Sequence, residues 1–188
     1  MLSVITVSFC AGLIYVVVQQ DLRQSANDPQ IEISEDIASQ LSMGKSPDAF
    51  DVNDKIDIGK SLATFYIIYD GDMKPLSSSG LLSQAIPKLP KGVFSYTRLY
   101  GEDRVTWQPQ PDARIALVVV SYTIPANIGS STSPVGFVAV GRSLREVEIR
   151  ENNLLVMSLI LWTISVVLIS AIVFLINKKW NTKASIVI

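Results

Sequence analysis

The 188-residue sequence contains no histidine and only one cysteine. The lack of histidine removes the commonest general base and the commonest metal ligand, and it excludes a histidine that accepts a phosphoryl group. With Cys10 alone, the chain cannot form an internal disulfide framework. Cys10 follows Phe9, which is too large for the residue before a lipidated cysteine. We therefore interpret Cys10 as a small hydrophobic residue and expect no lipidation.

The sequence also lacks the motifs of an enzyme. It has no glycine-rich phosphate loop, and its serine clusters at residues 77–79 and 130–131 have neither a histidine nor a Ser-x-x-Lys spacing beside them. The aspartates at positions 48, 51, 54 and 57 lack the glycine and bidentate glutamate of a calcium loop. Asp70 and Asp72 flank a turn glycine, as a hairpin requires. We expect no catalysis, no metal and no cofactor.

Charge is distributed unevenly along the chain. The 17 acidic residues all lie between Asp21 and Glu151, and the last three basic residues are Lys178, Lys179 and Lys183. The positive-inside rule predicts a cytoplasmic C-terminus and an extracytoplasmic middle segment. Residues 19–153 hold only four more acidic than basic residues. This mild balance gives no reason to expect nucleic acid or an anionic lipid surface as a partner.

Two apolar runs, residues 2–18 and 154–176, are long enough to cross a bilayer as helices. The first lacks the basic start and small-residue end of a signal peptide, so we interpret it as an uncleaved anchor. The absence of Lys or Arg before Leu2 leaves open a start upstream of Met1. Ser8 and Gly12 form a small-xxx-small pair, which permits the close approach of a second helix.

The second apolar run belongs to a longer predicted helix. Ser143 and Glu146 form an S-x-x-E capping box, which predicts a helix start at Ser143. No Pro or Gly lies between Leu144 and Lys179. We therefore expect one unbroken helix to leave a folded domain and continue through the membrane.

The middle segment is predicted to be an α+β domain. Asp28 as N-cap, followed by Pro29, predicts a helix that ends near Gly44. Strands are predicted at residues 65–69, 74–77, 93–100, 104–108, 114–124 and 135–140. We expect an antiparallel sheet with one face covered, and a core that contains Ile67, Trp107, Leu117, Val119 and Phe137.

Several short segments resemble Cache/PAS-like extracytoplasmic sensor domains, which lie between two membrane helices in bacterial histidine kinases and chemoreceptors. They are FYIIYDGDMKPLSSSG at residues 65–80, NDPQ at 27–30, VTWQP at 105–109 and GRSLREVE at 141–148. The resemblance implies a PAS/Cache-like antiparallel sheet with an N-terminal helix. Only twelve residues follow Ile176, so the resemblance covers the sensor region without a kinase part. Any signal is therefore expected to pass through a partner.

The resemblance also implies a pocket for a small-molecule ligand on the concave face of the sheet. Its candidate residues are Tyr96, Arg98, Trp107 and Arg114. If Tyr96 and Arg98 lie two apart on one strand, they share a face, with Arg98 as an anion clamp and Trp107 as an aromatic wall. In the structural alternative, Trp107 is a core anchor and the arginines pair with surface acids.

These predictions divide the chain into a first transmembrane helix (residues 1–18), a sensor domain (19–152), a second transmembrane helix (153–177) and a cytoplasmic tail (178–188). We expect a two-pass protein of the bacterial inner membrane that acts in sensing or regulation. It would act as a homodimer or with a separate membrane partner. The alternative is a non-sensing accessory or docking subunit of a cell-envelope complex. Ligand-induced stabilisation would favour the sensing function. Stable co-purification with another protein, without such stabilisation, would favour the accessory or docking function.

Overall fold

The computed structural model describes residues 2–25, 27–111, 113–124 and 135–184. The chain divides into two compact units. One consists of Met1–Arg23 with Glu148–Ile188, and the other is Gln24–Val147. We call the first the helical unit and the second the sheet unit.

The helical unit is built from two long helices, α1 (Leu2–Ser25) and α4 (Arg145–Ala184). Both contain stretches that are long and apolar enough to cross a membrane, Val4–Leu22 and Arg145–Lys179. Helix α4 begins inside the sheet unit and has no break over its 40 residues. At 1.5 Å per residue it is about 60 Å long, twice the thickness of a bilayer's hydrocarbon core. The expectation of one unbroken helix is confirmed.

Helix α2 (Asp28–Ser42) opens the sheet unit where the sequence predicted a helix. The N-cap is Asn27 rather than Asp28, which is already helical, so the predicted start was one residue too late. Ile37 and Leu41 are buried, as their four-residue spacing predicts. The helix is followed by Gly44, whose φ of +96° is a conformation that favours glycine.

Among the residues that the structure describes, seven strands follow, and five of them form the main sheet. They are β1 (Ile56–Asp57), β2 (Phe65–Tyr69), β3 (Pro75–Ser78), β4 (Gly80–Leu81), β5 (Glu102–Gln110), β6 (Ala113–Thr123) and β7 (Val135–Ser143). The main sheet is antiparallel, in the order β3-β2-β7-β6-β5, and β1 pairs with β4 in a separate parallel pair. The last strand in sequence, β7, is therefore the central strand.

The predicted strand at residues 93–100 is wrong, because these residues belong to helix α3 (Lys91–Tyr100). Val93, Phe94 and Thr97 are buried, and this i, i+1, i+4 spacing marks one face of a helix. Pro90 precedes the helix, and Gly101 follows it with a φ of +88°. Strand β5 consequently pairs with β6 rather than with residues 93–100.

Both faces of the sheet are covered, whereas the sequence predicted one. Helix α2 packs on the face that contains Val118, Val138 and Val140. On the other face, Phe94 of α3 packs with Tyr69 and Phe137. Because side chains alternate along a strand, central strands with two covered faces are apolar throughout. The predicted core is confirmed: Ile67, Trp107, Leu117, Val119 and Phe137 belong to one buried cluster.

Candidate functional site

The structure does not bring the four predicted ligand residues together. Tyr96 and Arg98 lie on helix α3, where two residues two positions apart point in nearly opposite directions. Trp107 is buried on β5, in the core cluster next to α3. Arg114 is exposed on β6 and alternates with the core residue Ile115, so it points to the opposite face of the sheet. The shared strand face proposed for Tyr96 and Arg98 is wrong because the segment is helical.

Arg98 ties helix α3 to the turn between β2 and β3. A terminal guanidinium nitrogen donates a hydrogen bond to the carbonyl oxygen of Gly71 at 2.7 Å, and the guanidinium lies 5.4 Å from the centre of the Phe137 ring. The turn itself is ordered by Asp70, whose carboxylate accepts hydrogen bonds from the backbone N–H groups of Asp72 and Lys74. In this structure Arg98 is thus a brace between two elements.

Aromatic side chains fill the space between the sheet and α3. The ring of Phe94 lies 4.9 Å from that of Tyr69 and 5.2 Å from that of Phe137, both in edge-to-face geometry. The hydroxyl of Tyr69 donates to the carbonyl oxygen of Pro87 at 3.2 Å. On the α2 face, the hydroxyl of Tyr122 donates to the carbonyl oxygen of Tyr69 at 3.3 Å. Tyr69 is therefore held at its ring, its hydroxyl and its backbone.

Burial disfavours the ionised form of both phenols. It raises the pKa of Tyr122 to about 12, with a further contribution from the negative charge of Asp70. Burial also raises the pKa of Tyr69 well above its ordinary value. Both groups therefore act as hydrogen-bond donors at neutral pH, and neither is poised as a general base.

The junction between β7 and α4 is a second structured site. Ser143 ends the strand, and its hydroxyl oxygen accepts a hydrogen bond from the N–H of Arg145, the first helical residue, at 3.4 Å. The backbone N–H of Leu144 donates to the carbonyl oxygen of Arg114 at 2.8 Å, which extends the pairing with β6. Helix α4 begins at Arg145, so Ser143 lies one residue before the N-cap position and the predicted helix start was one residue too early. The return contact from Glu146 to the cap stays a prediction.

Two arginines brace this junction to the loop that precedes β2. Arg145 donates from its guanidinium to the carbonyl oxygen of Lys60 at 2.7 Å, and Arg142 donates to that of Leu62 at 3.4 Å. Asp57 holds the same loop in shape by accepting a hydrogen bond from the N–H of Gly59 at 2.9 Å. Sequence reasoning missed both arginines. Their only signal was their position on either side of the predicted boundary between strand and helix.

Close packing fixes the same end of β7. Gly141 pairs with Phe65 on one side and with Leu117 on the other. A Cβ atom at Gly141 would lie 2.5 Å from the Phe65 ring and 2.9 Å from Ile115. Position 141 of the central strand therefore has no room for a side chain.

The helical unit contains one interhelical polar contact among its described hydrogen bonds. The indole N–H of Trp162 in α4 donates to the hydroxyl oxygen of Ser8 in α1 at 2.8 Å. Beside it lies an almost wholly apolar groove of about 410 Å³. Its lining comes from both helices: Ser8, Ala11, Gly12, Tyr15, Leu155, Ser158, Leu159 and Trp162. The small residues of α1 thus lie where α4 approaches it.

Among the residues that the structure describes, no group of three or more Cys, Asp or Glu side chains is placed to hold a metal ion. A scan against protein-family models found no match, and searches of curated proteins and of solved structures found no similar chain. The proposals below therefore depend on the residues and their geometry.

Proposed function

We propose that the chain is a two-pass bacterial membrane protein in which a Cache/PAS-like extracytoplasmic domain acts in sensing or regulation through a partner protein. The proposal depends chiefly on one observation. The central strand of the sheet, β7, is separated by a single residue from a 40-residue helix that is long and apolar enough to span a bilayer. A change in the sheet therefore has a direct covalent route into the membrane.

The route is stiff at both of its ends. Strand β7 is hydrogen-bonded to β2 through Phe65–Tyr69 and to β6 along its whole length. Arg142 and Arg145 fasten the junction to the preceding loop. Helix α4 contains neither Pro nor Gly, the residues at which helices usually kink. In this proposal, a displacement of β7 relative to β2 or β6 is transmitted along α4.

In this proposal the protein lies in the inner membrane. Residues 19–152 are outside the cytoplasm, and the C-terminus is in the cytoplasm. The asymmetry of the basic residues supports this orientation. A reporter enzyme that is active only in the periplasm, fused after Ile188, is expected to be silent. Activity of that fusion would contradict the orientation.

Helix-borne signalling is tested by inserting Gly-Gly between Glu151 and Asn152. The insertion adds flexibility to α4 beyond the sheet unit, so it is expected to preserve expression and membrane insertion while uncoupling the two units. A strain that lacks the protein is complemented with the wild-type or the inserted chain, and its transcript profile is measured. We expect the inserted chain to behave like the deletion.

A matched control inserts Gly-Gly between Ser83 and Gln84. Both residues have positive φ angles in an exposed turn far from α4 in sequence, and such turns tolerate insertions. This control is expected to restore the wild-type profile. If the insertion in α4 restores it equally well, helix-borne signalling is wrong.

The second candidate function, an accessory or docking subunit of an envelope complex, is favoured by the aromatic packing under α3. Phe94 packs edge to face with Tyr69 and Phe137, and these rings fill space between α3 and the sheet. Thermal unfolding of the full chain against a panel of small metabolites separates the two functions. A rise in melting temperature with one compound supports sensing. Stable co-purification with another envelope protein, without any such rise, supports docking.

A further inference from the structure

The main sheet has two edge strands, β3 and β5, and their outer edges differ. Strand β3 has only four residues, and it begins with Pro75, which has no N–H to offer to a further strand. A short 3₁₀ helix at Pro47–Phe50 packs beside it. Strand β5 has nine residues and, among the described strands, pairs only with β6. The edge of β5 is therefore the one that is able to accept another strand.

The backbone of β5 directs alternate residues to its two edges. The N–H of Ser121 in β6 donates to the carbonyl oxygen of Gly101 at 3.0 Å, and the register between the two strands is regular from there to Trp107. Because antiparallel hydrogen bonds join every second residue pair, odd-numbered positions bond to β6 and even-numbered positions point away from it. Arg104 and Thr106 thus direct their N–H and carbonyl groups to the outer edge.

The side chains around this edge leave it accessible. Arg104 and Thr106 are exposed, and Val105 between them is half-buried against the main core. The guanidinium of Arg104 forms an ion pair with Glu102 of the same strand, which neutralises its charge. The edge therefore presents outward backbone groups and one apolar side chain whose burial is incomplete.

We propose that β5 pairs with β5 of a second copy of the chain, so that the two sheets join edge to edge around a two-fold axis at Val105. A two-fold axis perpendicular to the sheet makes the neighbouring strands antiparallel and gives both copies the same contacts. Only registers that oppose even-numbered residues bring the outward backbone groups of both strands together. The inference concerns the sheet unit alone and does not rest on the membrane placement in the proposed function.

Charge and strand length select this register over its neighbours. An axis at Asp103 would set its carboxylate opposite that of the second copy, and an axis at Arg104 would do the same with two guanidinium groups. An axis at Thr106 would draw the irregular C-terminal end of β5 into the pairing. An axis at Val105 has neither fault, because it confines the pairing to residues 102–108 and opposes no two groups of like charge.

The strand is thus its own complement around Val105. Val105 meets the same residue of the second copy in a non-hydrogen-bonded pair, with Cα atoms about 4.5 Å apart, and this contact covers the remaining surface of both side chains. Arg104 lies opposite Thr106 of the second copy, and both residues contribute outward N–H and carbonyl groups to the joint. The pairing therefore adds backbone hydrogen bonds without a change in the fold of either copy.

The test is disulfide cross-linking of the full chain, purified in detergent with Cys10 replaced by Ser. Val105→Cys places a thiol on the two-fold axis, where the distance between the opposed Cα atoms suits a disulfide. Gln108→Cys is the matched control at an exposed position of the same strand, because the two copies of that residue would lie about 20 Å apart. Under a mild oxidant we expect a covalent dimer to form at least about tenfold faster with Val105→Cys.

Removal of one outward N–H tests the backbone contact. In the Val105→Cys chain, Thr106→Pro deletes a donor that β6 does not use, and proline is tolerated at such positions of edge strands. We expect it to slow cross-linking by at least about tenfold, whereas Thr106→Val keeps the N–H and should preserve the rate. Circular dichroism checks that each variant is folded. If Thr106→Pro does not fold, the comparison of Val105→Cys with Gln108→Cys still decides.

Three outcomes overturn the inference. The first is equal cross-linking at positions 105 and 108, which would indicate random collisions. The second is a rate that a folded Thr106→Pro variant leaves unchanged. The third is a particle that contains one chain at every protein concentration, measured by light scattering. None of these results bears on the orientation of α1 and α4, which the reporter fusion tests separately.

Discussion

The two units of this protein use the same apolar residues in opposite ways. In the sheet unit, Ile67, Leu117 and Phe137 have no exposed surface. In the helical unit, Leu161 is 65% exposed and Phe174 67%, and both lie in a stretch of α4 that is long and apolar enough to cross a membrane. The sheet unit buries its apolar groups against one another, whereas the described helices leave theirs uncovered.

The exposed apolar surface of α1 and α4 supports the membrane placement proposed above. Soluble monomeric proteins rarely expose continuous apolar patches of more than a few hundred Å², and two uncovered apolar helices exceed that. A helix satisfies its own backbone hydrogen bonds, so it tolerates lipid on every side, but an irregular loop or open sheet edge does not. The two candidate spans have the length and the apolar character that a bilayer crossing requires.

The largest test of the comparison uses two of the three tryptophans, Trp107 in the sheet unit and Trp162 in the helical unit. Trp107→Ala is expected to lower the free energy of unfolding by about 3–5 kcal/mol, because it leaves a cavity in the main core. Trp162→Ala is expected to cost less than about 1 kcal/mol, because its indole loses one interhelical hydrogen bond on an open surface. Thermal unfolding of the full chain in detergent, followed by circular dichroism, measures both. Equal losses of unfolding free energy in the two variants would contradict the difference in packing between the two units.

A second test uses alkaline pH, to which the sheet unit should respond. The pKa of Tyr122 is about 12 in the folded state, above its ordinary value of 10, so folding favours the neutral phenol. This stabilisation is complete below pH 10 and is lost as the pH rises from 10 to 12, by about 2–3 kcal/mol. Denaturant titrations across this range should show falling stability. Tyr122→Phe should make the fall shallower, while Tyr100→Phe, at an exposed ring, should leave it unchanged.

A third test concerns the packing near the C-terminal end of β7, where the chain leaves the sheet unit. Gly141→Ala is expected to cost about 1–3 kcal/mol, because the added methyl group collides with Phe65 and Ile115. Gly92→Ala is the matched control, since a Cβ atom there has no atom within 4 Å and lies in a helix. It should stabilise the protein by about 0.5–1 kcal/mol. Effects of the same sign in denaturant titration would contradict the packing described for β7.

The smallest expected effect lies in the helical unit. Ser8→Ala removes the hydroxyl that accepts the hydrogen bond from Trp162, and interhelical hydrogen bonds in lipid are worth about 0.6 kcal/mol. Ser165→Ala is the control, because that hydroxyl donates within its own helix to Leu161. Unfolding of the reconstituted chain in increasing denaturing detergent measures the difference. A loss of several kcal/mol with Ser8→Ala would mean that the helical unit is held as specifically as the sheet unit.

The elements with a clear hydrophobic period could be predicted from the sequence, and α3 could not. Its residues Val93, Phe94, Tyr96 and Tyr100 favour strands in isolation, so propensity outweighed the helical spacing of the buried positions. Pro90 and Gly101 on either side were the signals for a helix. The error mattered beyond the element itself. Because α3 was predicted as a strand, Tyr96 and Arg98 were expected to share a face. For the same reason, the helix that covers the second face of the sheet was not predicted.

The residues of the candidate site could also be predicted only in part. Trp107 was placed correctly in the core because large aromatic residues within a strand pattern are usually buried. Arg142 and Arg145 were missed because they bind carbonyl oxygens of a loop some 80 residues earlier. Backbone acceptors carry no sequence signal, and only the tertiary fold brings that loop to the junction.

The central place of β7 also has a consequence for biosynthesis. The ribosome makes β2 and β6 before it makes the strand that lies between them. A nascent or truncated chain that lacks residues 135–143 would expose the facing edges of β2 and β6, and unpaired strand edges invite aggregation. The sheet can close only once β7 has been delivered, and α4 follows it at once. The strand that completes the sheet and the second candidate span are therefore synthesised in immediate succession.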